Sequence, residues 1–201
     1  SVAIISDSSP FWLMVDYALQ CLGAVSVPIF ANISSHNLQY QLEDAEIRYA
    51  YIASQAKFDQ LAPFVSEMKL VLVRDIIAEG EKNRSWDNFI SDNITYKKPD
   101  IDENDLATII YTSGSTGVPK GVELSHKNLI SQIIDTRLCF EMKCEYKVLS
   151  FLPLAHIFER MVMSFYLSTG VSIYFADDVK NVGDLLKEVK PAVMTVVPRL
   201  L

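Results

Sequence analysis

LATIIYTSGSTGVPKGV, residues 106–122, carries an apolar run straight into a stretch with three glycines, the hydroxyls of Thr112, Ser113, Ser115 and Thr116, and the ammonium of Lys120. Glycines at that density cost backbone entropy, so a chain tolerates them where it needs unusual dihedrals or close approach by another group. The apolar run has the length and composition of a buried strand, and SHKNLISQIIDTRLCFEM, residues 125–142, reads as a helix with Ser125 at its cap. The glycine-rich segment thus leaves the carboxyl end of a strand and runs into a helix. Open α/β sheets bind ligands at that place, and free backbone N–H groups there attract anions. Two well-known phosphate loops do not fit: GxxxxGK[ST] fails because Gly121 follows Lys120, and GxGxxG fails because Gly114 and Gly117 are three apart.

The same rhythm extends in both directions. Before the loop, VAIIS (residues 2–6), AVSVPI (24–29), IRYAYI (47–52) and KLVLV (69–73) read as strands. Between them lie helical patterns: one opening at Ser8 or Ser9 with Pro10 in its first turn and Gly23 as its stop, one capped by Ser34 or Ser35, and one from about 54 to 65. Residues 79–105 turn polar around Pro99, with one helix expected at SWDNFIS (85–91). After the loop, strands are expected at KVLSFLP, VSIYFA and AVMTVVP, and helices at HIFERMVMSFYLSTG and NVGDLLKEVK. The alternation predicts an α/β fold of mainly parallel sheets covered by helices, in two subdomains with a junction near 79–105.

Composition narrows the function. A formal charge of −7 over 201 residues, without a Lys/Arg cluster, argues against nucleic acid as the main partner. Half of the chain is hydrophobic, and Gly and Pro are sparse, as in an ordered protein with a substantial core. The three cysteines, Cys21, Cys139 and Cys144, form no CxxC pair, which points away from a disulfide framework or zinc site and toward a reducing, cytoplasmic setting. The most apolar stretch, FWLMVDYALQCLGAVSVPIF, is interrupted by Asp16, Gln20, Gly23 and Pro28 and reads as a buried helix and strand, not a membrane span.

YTSGSTGVPKGVELSHKNL resembles the Ser/Thr/Gly-rich signature of the adenylate-forming acyl-CoA synthetases. LGAVSVPIF, LPLAHIFER and PAVMTVVPRLL are similar to further segments of that family, and together they point to its long-chain fatty acid CoA ligases. The resemblance covers nearly the whole chain. It implies the large N-terminal AMP-binding domain of an enzyme that activates a fatty acid with ATP to an acyl-adenylate and passes the acyl group to coenzyme A. It also implies that the backbone and hydroxyls of Thr112, Ser113, Gly114, Ser115, Thr116, Gly117 and Gly121, with Lys120, surround the β- and γ-phosphates. Positioned donors of this kind stabilise charge on a leaving pyrophosphate. Thr116 is the candidate Mg²⁺ contact, since that ion takes hard oxygen ligands. A peripheral membrane contact is compatible with a fatty substrate.

Other residues carry weaker expectations. His156 is a structural hydrogen-bonder or, from its place in LPLAHIFER, a site residue lining the acyl or nucleotide pocket. Glu159, three residues on, would orient that imidazole, pair with Arg160 at the surface or serve as a capping group. Phe151, Phe158, Phe165 and Tyr166 are expected in the core, with an acyl tunnel wall as the alternative. His36 and His126 read as surface or cap-adjacent. The family's later YGxTE and GD segments and its C-terminal domain with a catalytic lysine do not occur in the sequence, so it reads as a piece without independent turnover. A non-catalytic nucleotide- or partner-binding module and an adenylating enzyme for a carrier-protein thiol remain as alternatives.

Overall fold

The computed structural model describes residues 1–30, 32–76, 80–91, 95–113 and 118–197. The chain divides into two compact units: residues Ser1–Asp7 with Phe11–His126, and residues Ser8–Pro10 with Lys127–Leu201. The polar stretch 79–105 lies inside the first unit, and the division follows His126.

The first unit is built on one sheet of seven strands: β1 (Val2–Ile5), β2 (Ser26–Pro28), β3 (Tyr49–Ile52), β4 (Leu70–Val73), β5 (Asn83–Ser85), β6 (Leu106–Ser113) and β7 (Pro119–Ser125). Their spatial order is β5-β4-β3-β1-β2-β6-β7. All neighbours are parallel except β6 and β7. Helix α1 (Pro10–Cys21) opens at Pro10, whose fixed φ and missing N–H suit a first helical turn. It closes where Gly23 takes φ +65°, with Gly23 N–H donating to Gln20 and Ala24 N–H to Leu19, the pair of bonds that satisfies terminal carbonyls. Helix α2 (Ser35–Asp44) is capped by Ser34, whose hydroxyl accepts the Asn37 N–H. The helix expected over 54–65 is α3 (Gln55–Leu61) continued by a 3₁₀ turn (Ala62–Glu67), because Pro63 cannot continue the hydrogen-bond ladder. Ala3, Ile5, Val27, Ile29, Ile52, Val71 and Val73 form the sheet's contribution to a core completed by Leu38, Leu42, Ile47 and Leu61.

Two strands depart from the sequence reading. β5 and the short helix α4 (Trp86–Ile90) lie in the expected polar excursion, with Ser85 capping α4 through the Asn88 N–H. β7 replaces the expected passage from loop to helix: the chain returns antiparallel along β6 before helix α5 (His126–Cys139) begins.

The second unit holds a three-stranded parallel sheet, β10 (Val193–Met194), β8 (Lys147–Ser150) and β9 (Ser172–Phe175), in the order β10-β8-β9. Helix α6 (Ile157–Thr169) ends at Gly170 in the left-handed region, φ +75°. Helix α7 (Val182–Val189) turns Val182, Leu185 and Leu186 onto a core of Leu149, Phe151, Leu152 and Ala176. Among the described residues, no helix is long and apolar enough to cross a membrane.

Candidate functional site

The glycine-rich segment falls in sequence between the antiparallel strands β6 and β7. Tyr111 pairs with Gly121, Thr112 with Lys120 and Ser113 with Pro119, while Gly114, Ser115, Thr116 and Gly117 lie outside the described residues. Successive side chains in a strand point to opposite faces, so the hairpin has two unlike sides. On one, Thr112 and Lys120 are cross-strand neighbours, both exposed, and the Lys120 ammonium has no ion pair to a described residue. On the other, Tyr111 is 5 % exposed and joins the core with Ile109.

That second side accounts for Gly121. A Cβ there would stand 2.8 Å from Ile109 Cγ2 and 3.3 Å from two ring atoms of Tyr111. The aromatic ring occupies the space a side chain would need, which is a sufficient packing reason for glycine. The Tyr111 hydroxyl donates to Asp44 Oδ2 at 2.5 Å, a link across 67 residues that no local pattern announces. Burial, reinforced by the hydrogen bond and charge of Asp44, pushes the Tyr111 phenol well above its ordinary range.

The segment LPLAHIFER lies in the second unit. Ser8, two residues before the first residue of α1, donates from its hydroxyl to the Leu152 carbonyl at 3.0 Å and accepts the Leu154 N–H at 2.9 Å. His156 stands exposed at the N-cap position of α6, and its carbonyl accepts the Arg160 N–H. Glu159 and Arg160 are not a surface pair: they are 2 % and 1 % exposed. Ser150 Oγ donates to Glu159 Oε1 at 2.6 Å. Oε2 of Glu159 is buried without a hydrogen-bond partner among the described residues. Burial pushes this carboxyl up to about 7, against the opposing effect of the Ser150 bond. Phe151, Phe165 and Tyr166 are buried as expected, whereas Phe158 is half exposed. His36 is exposed, and His126 is the first residue of α5.

Metal and pocket geometry are sparse. No group of three or more His, Cys, Asp or Glu among the described residues is placed to hold a metal ion, and Thr116 lies outside them. A cleft of about 530 Å³ opens beyond the carboxyl ends of β3, β4 and β5, between Gln55, Arg74, Asp75, Ser85 and Trp86, with Val73 and Ile76 giving its wall an apolar share as well.

The fold is that of the adenylate-forming enzymes. The crystal structure of a long-chain-fatty-acid-CoA ligase from Archaeoglobus fulgidus superposes with a TM-score of 0.84, at 21% identity, over 98% of this chain and 40% of that one. The chain belongs to the AMP-binding enzyme family, whose model matches residues 1–201. A long-chain-fatty-acid–CoA ligase of Mycobacterium bovis is 30% identical over 211 residues, covering 99% of this chain and 34% of the relative. A peroxisomal long chain acyl-CoA synthetase of Arabidopsis thaliana is 31% identical over 220 residues, covering 100% and 30%. The chain thus spans about a third of the length of these curated relatives.

Proposed function

We propose that this chain carries the triphosphate-binding loop, and part of the acyl pocket, of an ATP-dependent long-chain fatty acid CoA ligase, and that the 201 residues alone bind phosphate without completing turnover. The observation that supports it most is the exposed Thr112–Lys120 pair that flanks the glycine-rich segment, in a chain matched from end to end by the AMP-binding model. ATP, with Mg²⁺, would supply the adenylyl group that turns a carboxylate into an acyl-adenylate with release of pyrophosphate, and coenzyme A the thiol that accepts the acyl group with release of AMP.

The residues of this chain have a simpler task. Lys120 offers a charged donor and Thr112 a hydroxyl on the same hairpin face, and donors already in place stabilise accumulating negative charge without reorganising. Ser113, Gly114, Ser115, Thr116 and Gly117 add backbone N–H groups and hydroxyls, with Thr116 the proposed Mg²⁺ contact. His156, exposed at the head of α6, is proposed to line the acyl or nucleotide pocket. The three exposed free thiols are compatible with the reducing, cytoplasmic compartment we assign.

The test is ATP–pyrophosphate exchange with carboxylic acids from acetate to palmitate. A longer ligase containing this segment is expected to exchange more strongly as the acyl chain lengthens, and the 201-residue chain not at all. A folded longer protein that exchanges with no acid would overturn the ligase reading in favour of a binding module. Exchange followed by transfer only to a carrier-protein thiol would replace coenzyme A as the acceptor.

A further inference from the structure

We propose that Asp44 is a positioning residue that holds the base of the β6–β7 hairpin, and so keeps Thr112 and Lys120 in place. This inference rests on the triphosphate reading above. Asp44 is the last residue of α2, and no basic residue accompanies it in the last turn. A carboxylate there faces the negative end of the helix dipole, an unfavourable place for it. Its two oxygens are engaged elsewhere: Oδ2 accepts from Tyr111 Oη at 2.5 Å and Oδ1 from Tyr40 Oη at 3.4 Å.

The two phenol rings meet edge to face, with centroids 6.4 Å apart. Tyr111 in turn lies against Gly121, its cross-strand partner, in the space a Cβ would fill. One carboxylate therefore fixes a ring, the ring fixes the register of both strands, and the next pair along is Thr112 with Lys120. The buried phenol remains protonated through neutral pH, so it serves Asp44 as a donor throughout.

The experiment titrates the 201-residue chain with magnesium ATP and, separately, with magnesium tripolyphosphate, while following thermal unfolding. Asp44→Ala and Tyr111→Phe are each expected to weaken both probes roughly tenfold, the scale of one hydrogen bond to a charged group. The double variant should lose no more than either single one, because both break the same link. Asp44→Asn, which keeps an acceptor, should recover most of the affinity and guards against a variant that fails to fold.

Lys120→Ala is the reference. If it weakens both probes while Asp44→Ala and Tyr111→Phe lower only the unfolding temperature, the clamp is overturned and the loop reading stands. Additive losses in the double variant would also overturn the clamp. If the wild-type chain takes up neither probe, or Lys120→Ala binds as wild type does, the loop reading falls and the clamp with it.

Discussion

Two segments combine polar and apolar residues in similar measure, and the fold treats them in opposite ways. In the β6–β7 hairpin Lys120 and Thr112 stand exposed, while Tyr111 and Ile109 enter the core. In residues 150–160 the carboxylate and guanidinium of Glu159 and Arg160 turn inward, and His156 and Phe158 stay outside. Charge left in water retains its hydration until a ligand arrives; charge taken inside must be satisfied by the fold or change its protonation. The first arrangement suits binding. The second suits internal structure with a titratable group built into it.

The largest expected effect concerns the inward carboxylate. Glu159 has a raised pKa of about 7 in the folded chain, against 4.5 in its ordinary state. Its contribution to stability is therefore fully present below about pH 4.5 and is lost as pH rises through about 7. A displacement of that size corresponds to about 3 kcal/mol. Glu159→Gln keeps an acceptor for Ser150 and removes the proton equilibrium. Urea unfolding at pH 5 and pH 8 should show wild type losing stability over this window and the variant losing markedly less. An unchanged slope would place the charge of Glu159 in a better-solvated setting than its burial indicates.

Gly121→Ala probes the packed side of the hairpin. With Ile109 Cγ2 at 2.8 Å from the new Cβ, the strands must shift, at a cost of about 1–3 kcal/mol by the scale of overpacked cores. Chemical denaturation reads it, and a neutral result would show that Gly121 is retained for the loop and not for packing. Ser8→Ala removes the hydroxyl that bridges Leu152 and Leu154, and about 1 kcal/mol of stability with it. At the low end, Val122→Thr on the exposed side should fall within about 0.5 kcal/mol, since Val122 is 44% exposed. A larger loss would mean that this side of the hairpin is covered.

Much of the architecture was legible because local signals agreed with it. Pro10, Gly23, Ser34 and Gly170 each mark a helix end through a backbone requirement that side-chain chemistry announces. β7 was missed for a physical reason: it is an edge strand whose apolar alternation is limited to Val122 and Leu124, and its antiparallel pairing is set by β6. The three-residue β5 is defined by backbone bonds to β4 and not by composition. At the site, Thr112 and Lys120 were legible as chemistry, but their pairing required the hairpin. Asp44 was illegible, because its partner lies 67 residues away and an acidic residue closing a helix carries no local signal for a tyrosine.

The most direct test of the central claim is a calorimetric titration of magnesium ATP into the wild-type chain and into Lys120→Ala. The account predicts a loss of roughly 1.5–3 kcal/mol, or about 10- to 150-fold in affinity, with unfolding temperature unchanged because Lys120 is exposed. Equal affinity in the two chains would contradict it and remove Lys120 from the triphosphate site.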